Sequence, residues 1–71
     1  MLFIVSTIYY NYEASDNGHY RYEVSVVGQE NAYTLGEKFM RADNVLSVDI
    51  IDTMTGEVIE SWDDWKIRQD I

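Results

Sequence analysis

The chain has 71 residues, no cysteine and one histidine, and its 13 acidic against 5 basic side chains leave a net charge of −8. No disulfide framework or thiolate metal site is open to it, an imidazole-based site is nearly impossible, and its field repels nucleic acid and anionic membranes. The length allows one domain, residues 1–71, with a marginal core, while 46% hydrophobic and 14% aromatic content argue for a folded chain rather than a disordered one.

The first segment, "MLFIVSTIYY", is apolar but lacks a basic leader and a small-residue cleavage site. It is too short to cross a bilayer. It reads as a buried strand, and the expected location is the cytoplasm. Residues 2 to 14 and 19 to 27 are rich in Ile, Val, Tyr and Thr and read as two strands. Between them, Asp16-Asn17-Gly18 suits a three-residue hairpin loop with Gly18 left-handed. That register sets Ile8 against Val26, Tyr10 against Val24, Tyr12 against Tyr22 and Ala14 against Tyr20 on an inner face. The other face then pairs Glu13 with Arg21, Asn11 with Glu23 and Tyr9 with Ser25.

Residues 31 to 43, "NAYTLGEKFMRAD", predict a helix with Asn31 as N-cap and Asn44 at the left-handed position that ends it. Ala32, Leu35, Phe39 and Ala42, with Met40 beside them, form its buried stripe, and Glu37, Lys38 and Arg41 point outward. Gly36 costs about 1 kcal/mol inside a helix relative to alanine, so a close approach to the sheet is the expected reason for it. "VLSVDIID" and "EVIESW" follow as a second hairpin around Met54-Thr55-Gly56. Val48 then faces Trp62 and Ile51 faces Ile59. Leu46, Val48, Ile50, Val58 and Trp62 turn inward, and Val45, Asp49, Ile51, Ile59 and Asp63 turn outward. In the tail, Ser61 with Asp64 suits the start of a short helix, and Trp65 needs a packing partner.

The resulting order is β-β-α-β-β, an α+β fold. A four-stranded antiparallel sheet in the order 2-1-3-4 would carry one helix on one face. The second face would be bare and would bear Tyr9, Asn11, Glu13, Glu23, Asp49, Ile51, Ile59 and Asp63.

No catalytic constellation emerges. His19 sits beside a hairpin tip, and no histidine base is placed for Ser61 or the threonines. Asp49, Asp52 and Glu57 in "DIIDTMTGE" lack the spacing of a calcium loop, and Asp52 and Gly56 serve the turn. No glycine loop cradles a phosphate, and the basic residues form no patch. The chain therefore reads as a non-enzymatic binding protein without cofactor or metal. Two modes are open. In one, the acidic face docks on the basic groove of a nucleic-acid-handling protein, with carboxylates in the places of phosphates and rings in those of bases. The contact residues would be Tyr9, Glu13, Glu23, Asp49 and Asp63, with Glu30 and Glu37 behind them. In the other, Ile51, Ile59 and Tyr9 close a homodimer and the carboxylates form a solvated rim.

A short, cysteine-free, acidic, tyrosine-rich β-β-α-β-β chain resembles the small inhibitors that bacteriophages direct against host defence and repair, such as anti-CRISPR proteins and inhibitors of uracil-DNA glycosylase. The resemblance spans the chain but rests on size, charge and element order. It carries no motif, so no residue role transfers. It implies a stoichiometric inhibitor that occupies a nucleic-acid site or blocks a conformational step.

Overall fold

The computed structural model describes residues 1–10 and 18–63. The elements are β1 (Leu2–Tyr10), β2 (His19–Val27), α1 (Gln29–Met40), β3 (Val45–Asp52) and β4 (Val58–Asp63). The four strands form one antiparallel sheet in the order β2-β1-β3-β4. This is the α+β fold that the sequence predicts. The helix packs on one face, over β1 and β3 above all.

Between sheet and helix lies a core of Phe3, Val5, Ala32, Val45, Val48 and Ile50, with Trp62, Phe39, Leu35 and Tyr33 packed around it. Gly36 is buried where α1 passes over the Trp62 ring of β4. A methyl group built there would stand 2.8 Å from the Trp62 ring, so a larger residue would have to push helix and ring apart. The ring of Tyr33 meets the same indole edge-on at 6.2 Å.

The first hairpin differs from the sequence expectation. The strands pair Phe3 with Val26, Val5 with Val24, Thr7 with Tyr22 and Tyr9 with Tyr20, and β1 ends at Tyr10. This register sets Tyr10 against His19 rather than Val24, so it is not the one that an Asp16-Asn17-Gly18 loop would give. The expected partners Tyr12, Ala14, Asn11 and Glu13 fall outside the described residues. The cause is the ambiguity of β1 itself. Leu2, Phe3, Ile4 and Val5 are apolar on both sides, so alternation cannot choose the inner face. The choice is made by β3, which sets Val5 against Ile50 and Thr7 against Val48. Odd-numbered residues of β1 therefore turn toward the helix. Tyr9 goes with them, stacking on Tyr20 at 5.9 Å, and Tyr10 turns to the bare face beside His19.

The helix starts two residues before Asn31. Its N-cap is Gly28, at φ 92° and ψ 136°, a conformation that side chains disfavour. Asn31 lies within the first turn and its side-chain amide donates to the Val27 carbonyl, so it does not cap the helix. Ala42 lies past the helix end and is exposed. Asn44 pairs with Tyr10: its side-chain amide donates to the Tyr10 carbonyl, and its own carbonyl accepts the Tyr10 N–H.

The second hairpin contains two compensating departures. Its loop has four residues, 53–56, closed by the Asp52 N–H to the Glu57 carbonyl and by the Gly56 N–H to the Asp52 carbonyl. That shifts the register by one and sets Ile51 against Val58 rather than Ile59. A bulge at Ile59 then restores the expected pair of Val48 with Trp62. As a consequence Ile59 packs on the core, while Val58 is exposed on the bare face. A further bulge at Leu46 sets Val45 against Tyr9, so Val45 is the buried residue and Leu46 only half-buried. Ser61 belongs to β4 rather than to a helix start, and Asp64 and Trp65 lie outside the described residues.

Candidate protein-docking face

Among the described residues, the helix covers one face of the sheet and no element covers the other. The registers place its residues in rows. One row runs Ser25, Ile4, Ile51, Val58, and the next Glu23, Ser6, Asp49, Ser61. The third runs Arg21, Ile8, Ser47, Asp63. Read along the strands, β1 offers Leu2, Ile4, Ser6, Ile8 and Tyr10 as a central lane. Ile4 and Ile8 are half-buried between the neighbouring strands, and Ser6 is 6% exposed.

The carboxylates flank this lane. Glu23 stands on β2 and Asp49 on β3, each opposite Ser6. Two inter-strand spacings separate them, about 10 Å at the backbone. Asp63 lies one strand further out and two residues along, about 7–8 Å from Asp49 on the diagonal. The Ser61 hydroxyl donates to Asp49 Oδ1 at 2.6 Å and steadies that carboxylate. Arg21 reaches Glu23 at 3.9 Å, with both side chains largely in solvent. An exposed pair of this kind is worth well under 1 kcal/mol in most settings, so Glu23 can exchange this partner for another.

Of the residues expected at a contact, the fold brings Glu23, Asp49 and Asp63 onto the bare face, with Ile51 beside them. It moves Tyr9 and Ile59 to the helix side. Glu13 lies outside the described residues. Glu30 and Glu37 are on the outer surface of α1, where with Gln29, Tyr33 and Thr34 they line an open depression of about 430 Å³. Three apolar residues of the bare face had been missed: Leu2 is 43% exposed, Val27 69% and Val58 54%. They lie toward one end of the sheet, spread across its strands, where Leu2 pairs with Val27 and Val58 with Ile51. Leu2 and Val27 carried a signal, because both strands run apolar to their ends without alternating. Val58 carried none, because only the bulge turns it outward.

Among the described residues no three His, Asp or Glu side chains are placed to hold a metal ion, and no helix is long and apolar enough to cross a membrane. No family model, curated protein or solved structure matches the chain.

Proposed function

We propose that this chain is a non-enzymatic binding protein that docks the bare face of its sheet on a basic surface of a protein partner. The observation that carries the reading is the placement of Glu23 and Asp49 on either side of β1, on the face that no other described element covers. With a net charge of −8 behind them, these carboxylates steer a cationic surface toward the sheet and repel an anionic one. The exposed apolar end, Leu2, Val27 and Val58, supplies contact area beside the charges. A basic surface of this kind is found in the nucleic-acid groove of an enzyme that handles DNA or RNA, and a protein seated there acts as a stoichiometric inhibitor. The resemblance in size, charge and element order to phage inhibitors of host defence and repair supports that direction.

The test is retention of basic proteins on the immobilised chain from a bacterial lysate, washed at low and then high salt. The expected result is retention at low salt and release at high salt, since charge pairs at a solvated rim are screened over about 10 Å at 0.1 M. The double reversal Glu23→Lys with Asp49→Lys is expected to lose that retention, while Glu30→Lys with Glu37→Lys, an equal change of net charge, keeps it. Equal loss from both pairs would reduce the reading to non-specific charge attraction. The alternative is a homodimer closed over the same face through Ile51 and its neighbours. It is favoured by the exposed apolar end and opposed by the carboxylates that each copy would bring. Sedimentation of the isolated chain separates the two readings.

A further inference from the structure

We infer that the element of the partner seated on this face is a basic amphipathic helix, lying along β1. This rests on the docking role proposed for the bare face and gives its occupant a shape. The central lane is apolar, Leu2, Ile4 and Ile8, with the small Ser6 among them. It runs from Leu2 to Tyr10, about 26 Å at strand spacing, the length of about 18 residues of helix. The carboxylates do not fill the lane but border it. Glu23 and Asp49 stand about 10 Å apart across it, which is the diameter of a helix with its side chains. A helix laid in the lane buries one apolar stripe against Ile4, Ile8 and Ile51. Lysines or arginines on its two shoulders come down on Glu23 from one side and on Asp49 and Asp63 from the other.

The alternatives fit the lane less well. An extended nucleic-acid-like backbone has no use for its isoleucines. A second copy of the chain would set Glu23, Asp49 and Asp63 against the same three carboxylates, with Arg21 the one Lys or Arg among the described residues of each bare face to offset them. A helix with one apolar stripe and two basic shoulders meets both the charge and the hydrophobicity of the surface, in the groove-binding mode known for amphipathic helices.

The experiment uses the full chain and two synthetic peptides of 18 residues. One carries leucines at alternating three- and four-residue spacing between flanking lysines, and the other holds the same residues reshuffled so that no stripe forms. Labelled peptide is titrated with the chain, and backbone amide shifts and peptide helicity are followed in parallel. The patterned peptide is expected to bind at least tenfold tighter than the reshuffled one, to gain helix on binding, and to shift the amides of Ile4, Ser6, Ile8 and Ile51. Glu23→Lys with Asp49→Lys should weaken it at least tenfold, and Glu30→Lys with Glu37→Lys should leave it unchanged. Equal affinity for both peptides would overturn the helix while leaving charge-driven docking in place. So would no binding of either peptide by a chain that still retains basic proteins from lysate through Glu23 and Asp49. Amide shifts confined to α1, or a salt-resistant dimer that excludes both peptides, would overturn the helix and the docking face together.

Discussion

Gly36 shows how one missing side chain can decide a packing arrangement. In an exposed helix its replacement by alanine would gain about 1 kcal/mol. Here the new methyl group would lie 2.8 Å from the Trp62 ring, and forcing a core apart costs about 1–3 kcal/mol. Gly36→Ala is therefore expected to lower stability by about 1 kcal/mol in a urea titration, and to cost less when Trp62 is replaced by leucine. Gly56 presents the opposite case. A side chain there would meet nothing within 4 Å, yet φ is 76°. Gly56→Ala should cost about 1 kcal/mol through backbone conformation alone, and Gly56→Asn clearly less, because asparagine tolerates the left-handed region. Comparison of the two variants by thermal unfolding tests whether conformation, rather than contact, is the cause.

At the scale of elements, the two bulges in the sheet carry much of the side-chain placement. The Leu46 bulge lies next to Thr7, whose buried hydroxyl donates to the Ser47 carbonyl at 3.0 Å. Thr7→Val keeps the shape and removes that bond while leaving a carbonyl short of a partner. A loss of about 1–2 kcal/mol is expected, with faster hydrogen exchange at the β1–β3 pairs beside Ser47 as the local sign. The same bulges explain what the sequence could and could not reveal. Strand order, helix face, the Gly36 contact and the pair of Val48 with Trp62 were legible, because each follows from apolar spacing. The inner face of β1 was not, because a strand apolar on both sides has no period to read. The outward turn of Val58 and the inward turn of Val45 were not legible either, since each depends on one extra residue in a ladder. That Glu23, Asp49 and Asp63 share the bare face was legible. The apolar lane between them followed only once the register of β1 was known.

For the whole molecule, charge and core size act against each other. Thirteen carboxylates against five bases repel one another in the compact state. The melting temperature is expected to rise as sodium chloride goes from about 10 to 150 mM, a range over which the screening length falls from about 30 to 8 Å. A chain held together by its own ion pairs would show the reverse, so calorimetry across that series checks the sign. The same series should weaken the docking proposed for the bare face, so the two salt responses are expected to have opposite signs.

The position of β1 in the sheet has a consequence for how the chain is made. It is the strand that pairs with both β2 and β3, yet the residues of α1 and its loops must be synthesised before β3 can reach it. Until then its second edge lacks its native partner, and "LFIVSTIYY" combines high strand propensity with no charge and no proline, the composition of an aggregation-prone segment. Pairing across that distance also places folding toward the slow end for a domain of this size. Natural sequences protect such a strand by flanking it with charge. In the growing polypeptide the nearest carboxylates are Glu13 and Asp16, followed by Glu23 on β2, and before Asp49 of β3 is made they are the guard against β1 meeting another copy of itself.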